Sequence, residues 1–438
     1  MLMTLVFQAP RGLTGRVVPP ADKSITHRAL IFSGLAEGSS RVHNPLDTGD
    51  CISTRRCLEA LGVAITETRG SGGETILEIE GRGLRGFQEP ENVLEAGNSG
   101  TTARLLAGLL AGQKVLTVLN GDSSLRSRPM LRVVGPLRRM GAEIQGRNQG
   151  RNLPLVFAPA PGELLPIDHQ LEVSSAQVKS ALMIAALRAR GKVRLGGAID
   201  SRDHTERLFD YLGLPLHREG SWLTVEPVEA VPAFELTVPG DISSAAFFIT
   251  GALVCGKELL VENCGLNPSR LGFLEALKRM GARIEVDEQN LSGGEPLGSI
   301  RVLPGPLHGA EVGPESIPSC IDEVPLLAVL GAFARGITRI RGAGELRHKE
   351  SDRLAAVARL FSSLGGRIEL SEDGFAVEGP QSLKSAEIDP KGDHRIAMAA
   401  ACLSPGIRDG VTVHGFEAAE VSYPDFVGMF RALGGVVA

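Results

Sequence analysis

The chain has 438 residues, 43% of them hydrophobic and 22% charged, with a net charge of −5 and an isoelectric point near 6.1. This is the composition of a folded globular protein long enough for two or more domains, with a core that needs neither metal nor disulfide for stability. The acidic balance and 4% aromatic content exclude a basic nucleic-acid binder with stacking platforms, and no uninterrupted apolar run approaches the roughly 18 residues of a membrane span.

The first informative element opens at Asp22 as "DKSITHRALIFSGLAEG": a capping residue, a polar cluster, a long apolar run, then glycine. The same design returns at 97–112 as "GNSGTTARLLAGLLAG" and at 174–191 as "SSAQVKSALMIAALRARG". It appears again at 241–256 as "DISSAAFFITGALVCG", at 320–336 as "CIDEVPLLAVLGAFARG" and at 393–406 as "DHRIAMAAACLSPG". Helices apolar over most of their circumference are buried. Asp, Asn or Ser at each start predicts a side-chain cap on the free backbone N–H groups.

A second phrase alternates with the first: "LEALGVAI", "LRRMGAEI", "FDYLGLPL", "LKRMGARI", "FSSLGGRI" and "FRALGGVV". Their glycines, Gly62, Gly141, Gly213, Gly281, Gly365 and Gly434, are separated by 79, 72, 68, 84 and 69 residues. Each phrase predicts the end of an amphipathic helix stopped by glycine and followed by a half-exposed strand. The expected fold is therefore α/β, built from six modules, each with one buried and one outer helix.

A buried helix offers chemistry only at its ends. Its N-terminus carries unpaired N–H donors and about half a positive charge, so it is suited to anions. Lys23, Ser24 and Arg28 open the first buried helix and Asn98 the second. Ser175 and Gln177 open the third, Asp322 the fifth, and His394 with Arg395 the sixth. If these ends converge, they form one strongly electropositive cleft. The six cysteines, Cys51, Cys57, Cys255, Cys264, Cys320 and Cys402, form no CxxC pair and read as small apolar residues of a reducing compartment. No zinc site is expected. The opening "MLMTLVFQAPRG" lacks the length and flanks of a signal peptide, so a cytoplasmic protein is expected.

In order and spacing, "DKSITHR", "GNSGTTARL", "RSRPM", "SSAQVKSALM", "IDEVPLLAV", "RHKESDRL" and "DHRIAMA" resemble the motifs of the 5-enolpyruvylshikimate-3-phosphate synthases, also called 3-phosphoshikimate 1-carboxyvinyltransferases, over residues 8 to about 430. The resemblance implies a two-domain inside-out α/β barrel, each domain made of three βαβαββ units around buried parallel helices. It implies a discontinuous domain of 1–20 plus 240–438, a second domain of 21–239, and an active site in the cleft between them. It also implies transfer of the enolpyruvyl group of phosphoenolpyruvate to the 5-hydroxyl of shikimate 3-phosphate, in the pathway to chorismate and aromatic amino acids. No cofactor, metal, nucleic acid or membrane is implied, and a monomer is expected.

Both substrates carry a phosphate and a carboxylate, so the site needs several cations and fixed donors. By resemblance, Lys23, Ser24 and Arg28 bind shikimate 3-phosphate, and Lys23 also reaches phosphoenolpyruvate. Ser175 and Gln177 extend the sugar-phosphate site, with Gln177 touching both substrates. Arg128, Arg353 and Arg395 grip phosphoenolpyruvate, Asn98 and Gly100 shape its pocket, and Lys349 lies between the substrates. Arg202 extends the shikimate-phosphate site, and His394 orients Arg395. The reaction adds a proton to a methylene carbon while a hydroxyl loses one, which suits two carboxyl groups. Asp322 is the candidate base and Glu350 the candidate acid; Asp322 is equally readable as a helix cap.

Two positions depart from the family pattern. Val421 stands where some members have lysine, and Ala176 stands where some have a second serine before the glutamine. Gly100 predicts sensitivity to glyphosate, since alanine there intrudes on that inhibitor. Two other readings compete: the UDP-N-acetylglucosamine enolpyruvyl transferases, whose loop cysteine is absent from "NGDSSLRSRPM", and a non-catalytic repeat scaffold that binds anions.

Overall fold

A computed structural model describes residues 3–438. Among the described residues, twelve α-helices of seven or more residues alternate along the chain between buried and outer positions. The first unit to form along the sequence spans Ala21–Val238, together with Leu291–Glu295. Its buried helices are α1 (Lys23–Leu35), α3 (Gly100–Leu110) and α5 (Ala176–Ala186); its outer helices are α2 (Gly49–Ala60), α4 (Leu131–Arg139) and α6 (His204–Tyr211). The other unit comprises the chain up to Pro20, Pro239–Asn290 and Pro296–Ala438. There α7 (Ile242–Val254), α9 (Val324–Phe333) and α11 (His394–Leu403) are buried. The outer helices are α8 (Gly272–Arg279), α10 (Arg353–Ser363) and α12 (Phe426–Ala432).

Local chemistry explains the helix starts. Asp22, Ser99, Ser175, Asp241 and Asp393 each accept a backbone N–H from the first turn of α1, α3, α5, α7 and α11. Two expectations are corrected here. Ser99, not Asn98, caps α3. Helix α9 has no side-chain cap; Pro325 fills its first turn, where its missing N–H costs nothing. The six recurrent glycines end the outer helices with φ between +66° and +99°, a left-handed conformation that penalises any Cβ.

Each module closes with a four-stranded sheet of one parallel and two antiparallel pairings. In the Ala21–Val238 unit, Glu235–Thr237 runs parallel to Ser39–His43, which pairs antiparallel with Thr75–Glu80, itself paired with Ala64–Arg69. The last segment of the unit thus completes its first sheet. The other unit closes the same way. Leu5–Gln8 inserts between Val411–Val413 and Val436–Val437, with Phe7 opposite both Val411 and Val437. Gly15–Val17 runs parallel to Leu259–Gly265. The N-terminal strands therefore belong with the C-terminal half of the chain.

The buried helices are nearly inaccessible on every side: all of α7 from Ile242 to Leu253 is buried. Their mutual approach uses small residues. A Cβ on Gly108 of α3 would lie 2.2 Å from the carbonyl oxygen of Ala181 in α5, so the two backbones touch only because no side chain intervenes. Among the described residues, no helix is long and apolar enough to cross a membrane.

Candidate active site

With their flanks buried, the odd-numbered helices present only their N-termini. In the Ala21–Val238 unit, Lys23 begins α1 and its Nζ lies 2.9 Å from Asp50 Oδ2, in the first turn of α2. Ser24 is half-buried beside it. Arg28 sits one turn further in and is 3% exposed. Its guanidinium donates to Thr205 Oγ1 (2.7 Å), Ser180 Oγ (2.8 Å) and the Ser24 carbonyl (2.9 Å). Burial lowers its pKa to about 10, still far above neutrality, so it remains a cation. Arg202 is close enough to add a like-charge effect in the same direction.

The start of α3 is held by a second network. Asn98 donates to Asp122 Oδ2 (2.8 Å) and accepts from Arg128 Nη2 (2.6 Å), which also lies 3.3 Å from Ser124 Oγ. Arg128 is thereby aimed across Gly100: a Cβ built on Gly100 would stand 3.4 Å from Arg128 Nη1 and 2.7 Å from Arg104 Nη1. Arg104 in turn donates to Gln177 Oε1 (2.7 Å), and Gln177 Nε2 donates to Thr101 Oγ1 (2.9 Å). Ser175 spends its hydroxyl as a long cap on Val178 N (3.5 Å), and Ala176 is the first residue of α5.

The second cluster lies wholly in the other unit, around Arg353. This side chain is 1% exposed. Its three nitrogens address three carboxylates: Nη1 to Asp322 Oδ1 (3.2 Å), Nη2 to Glu350 Oε2 (2.5 Å) and Nε to Asp393 Oδ2 (3.1 Å). Burial pushes the guanidinium pKa down, but Asp393, Glu350 and Asp322 outweigh burial and raise it. Burial likewise pushes Asp393 up, and Arg353, with His394 and a hydrogen bond from Ser351, brings it below the usual carboxylate range. Lys349 Nζ approaches Asp322 Oδ1 at 3.5 Å. Arg395 is the least committed cation. It donates to the Asp322 carbonyl at 3.3 Å and reaches the carboxylates of Asp322 and Glu323 only at 3.8 and 3.9 Å. His394 is buried at the first position of α11.

One alternative falls away: Asp322 is an ion-pair centre, not a helix cap. Glu350 precedes α10 in an irregular turn, with its side chain 25% exposed. Around Arg353 three cations, Lys349, Arg353 and Arg395, meet four carboxylates, Asp322, Glu323, Glu350 and Asp393. Val421 lies half-buried at the end of the 3-10 helix Phe416–Val421.

Sequence reasoning missed Asp50, Arg104, Asp122 and Thr205. Nothing in a linear reading pairs them with Lys23, Gln177, Asn98 and Arg28. Asp393 was visible as the first letter of "DHR" but only as a cap; its second oxygen also serves Arg353 and Ser351. Among the described residues, no group of three or more His, Cys, Asp or Glu side chains is arranged to hold a metal ion, and all six cysteines are free thiols.

Comparison with known proteins identifies the family of the chain. The family model for EPSP synthase (3-phosphoshikimate 1-carboxyvinyltransferase) matches residues 7–430. The chain is 48% identical over 421 residues to the 3-phosphoshikimate 1-carboxyvinyltransferase of Thermus thermophilus, covering 95% of this chain and 96% of the relative. It is 45% identical over 426 residues to that of Desulfitobacterium hafniense, covering 97% and 96%. A solved EPSP synthase from Acinetobacter baumannii superimposes over the whole of both chains with a TM-score of 0.87 at 34% identity. The enolpyruvyl transferase NikO from Streptomyces tendae shares the fold, with a TM-score of 0.78 at 17% identity over 100% of this chain and 98% of its own. The match spans every module and both charged clusters, and the chain belongs to the EPSP synthase (3-phosphoshikimate 1-carboxyvinyltransferase) family.

Proposed function

We infer that this protein transfers the enolpyruvyl group of phosphoenolpyruvate to the 5-hydroxyl of shikimate 3-phosphate and releases inorganic phosphate, in the route to chorismate and aromatic amino acids. The observation that carries this reading is family membership over residues 7–430, a span that contains both charged clusters. It favours this reaction over transfer to UDP-N-acetylglucosamine and over a non-catalytic scaffold.

In this reading the two clusters act on one pair of anions, in the cleft between domains 1–20 plus 240–438 and 21–239. Lys23, Ser24, Arg28, Ser175 and Gln177 take shikimate 3-phosphate, with Arg202 beside Arg28. Arg128, Arg353, Arg395 and Lys23 take phosphoenolpyruvate, whose pocket is bounded by Asn98 and Gly100. The loosely held Arg395 has the most to gain from a substrate anion.

The chemistry has two steps. The 5-hydroxyl oxygen bonds to C2 of phosphoenolpyruvate as its proton leaves, and C3 gains a proton to become a methyl group. The tetrahedral adduct then loses phosphate from C2 and one proton from that methyl. Asp322 serves as base for the hydroxyl. Glu350 delivers and later recovers the proton on carbon, and Lys23 and Lys349 neutralise charge on the phosphates. Arg353 bridges both carboxyl groups and fixes their separation. The protein works as a cytoplasmic monomer.

The test is phosphate release by purified protein given shikimate 3-phosphate and phosphoenolpyruvate with no metal added. Turnover is expected with this acceptor and none with UDP-N-acetylglucosamine. Binding of both substrates without phosphate release would favour the scaffold instead. Light scattering after size exclusion checks the monomer.

A further inference from the structure

Lys179 is almost wholly enclosed. It lies on the buried helix α5, one turn beyond Ser175, and its side chain is 1% exposed. An ammonium has three N–H donors, and burying one is costly unless each is met. Here each is met: Nζ donates to the carbonyls of Ile199 (3.0 Å) and Ser201 (3.5 Å) and pairs with the carboxylate of Glu206.

These partners belong to one stretch, the turn between the strand Val193–Gly197 and α6 with the first turn of that helix. Ser174, exposed just before α5, takes the carbonyl between the other two: its hydroxyl donates to Asp200 O at 2.5 Å. The carbonyls of Ile199, Asp200 and Ser201 are thus held in succession by Lys179 and Ser174, two side chains at the opening of α5.

The held stretch leads straight into Thr205. Lys179 and Ser180 are neighbours on α5, Thr205 and Glu206 are neighbours on α6, and they meet pairwise: Lys179 with Glu206, and Ser180 Oγ with Thr205 Oγ1 at 2.6 Å. Both hydroxyls also accept from Arg28, Thr205 from Nε at 2.7 Å and Ser180 from Nη2 at 2.8 Å. With Nη1 on the Ser24 carbonyl, described residues use three of the five guanidinium N–H groups, which leaves one on each terminal nitrogen for an anion. Burial lowers the Arg28 pKa and Glu206 opposes that, so this carboxylate is within electrostatic reach of Arg28 as well.

We propose that Lys179 is a positioning residue for the acceptor substrate: by clamping Ile199, Ser201 and Glu206 it sets where Thr205 stands, and so how Arg28 is aimed. This rests on the reading in which Arg28 takes shikimate 3-phosphate. The test is the Kd of shikimate 3-phosphate by calorimetry on the full chain, with kcat and the KM for phosphoenolpyruvate measured at saturating acceptor. Lys179→Met keeps the stem and removes the donors; Kd is expected to rise roughly tenfold, with kcat and that KM within about twofold. Thr205→Val is expected to raise Kd by a similar factor. Adding Lys179→Met to it should then change Kd by less than about twofold, since both act through one guanidinium. Lys179→Met/Glu206→Gln, which removes the charge of the stranded carboxylate, is expected to recover Tm and keep the weakened Kd. Ser174→Ala, at an exposed position, loosens the same stretch even where a Lys179 variant fails to fold, and is expected to raise Kd about two- to threefold. An unchanged Kd in folded Lys179→Met or in Ser174→Ala would overturn the proposal. So would independent, multiplying effects of Lys179→Met and Thr205→Val, or a Kd restored together with Tm by Glu206→Gln, which would leave Lys179 a charge partner only. Wild-type protein that does not bind shikimate 3-phosphate would overturn the functional reading too; wild-type binding with any of these results overturns this inference alone.

Discussion

Replacing Gly100 with alanine puts one methyl group into the centre of the Lys23–Arg128 cluster. The added carbon would stand 2.7 Å from Arg104 Nη1 and 3.4 Å from Arg128 Nη1. To restore even a tight 3.4 Å contact, Arg104 must retreat by 3.4 − 2.7 = 0.7 Å. It cannot do so at no cost, because the same Nη1 is 2.7 Å from Gln177 Oε1. The retreat therefore lengthens that bond or drags Gln177 with it. A hydrogen bond to a charged group contributes about 1.5–3 kcal/mol, which corresponds to roughly 10- to 100-fold in affinity. The expected result is a rise of that order in KM for phosphoenolpyruvate. A larger rise is expected in the glyphosate concentration needed for inhibition, because that inhibitor is longer than the substrate between its two anionic groups. Folding is not the cause: alanine is the better helix former, so Tm is expected to hold or rise. The assay is initial-rate phosphate release with phosphoenolpyruvate varied at several fixed glyphosate levels. A folded variant with unchanged KM and unchanged inhibition would refute the placing of phosphoenolpyruvate beside Gly100.

Three further outcomes are expected. Arg128→Ala removes a donor held by Asn98 at 2.6 Å and should cost about 1.5–3 kcal/mol, seen mainly as a roughly 10- to 100-fold loss in kcat/KM for phosphoenolpyruvate. Glu350→Gln keeps the contact with Arg353 but removes a transferable proton; kcat should fall by about 100- to 10,000-fold in rapid-quench turnover, with substrate binding largely retained. His27 tests the buried base of α1, where burial lowers the imidazole pKa to about 3. The unfolded chain takes up a proton below about pH 6.5 and the folded chain does not, so stability falls as the pH drops from about 6.5 toward 3. Urea unfolding should lose about 1.4 kcal/mol per pH unit over that window from this residue, and His27→Gln should flatten the slope by up to that amount.

The parts of the fold legible in the sequence are those set by neighbours in the chain. A cap at Asp22 needs only the N–H of Ile25, three residues away, and a left-handed glycine at Gly62 needs only the end of its own helix. Full-circumference apolarity in "ISSAAFFITGALV" marks burial whatever covers it. Even the return of the N-terminal strand to the C-terminal half followed from the family pattern and is met in the pairing of Phe7 with Val411. The candidate cations were legible too, as uncommon polar residues at the starts of apolar helices.

What those residues hold on to was not legible. Lys23 and Asp50 are 27 residues apart, Arg353 and Asp393 are 40 apart, and Arg104 and Gln177 are 73 apart. No periodicity links such positions, because each partner belongs to a different helix and meets the other only when the modules pack. The pairing around Arg353 was hidden for the same reason. Read linearly, Asp322 and Glu350 stood among Lys349, Arg353 and Arg395 as acid–base candidates, but nothing showed that Arg353 pairs with both of them and with Asp393 at once. The sequence by itself determined the six-module architecture and which residues carry charge, since caps, stops and apolar periodicity act over a few residues. Tertiary structure alone decided which carboxylate each cation meets and the aim of each guanidinium, since electrostatic pairing depends on distance through space and not along the chain.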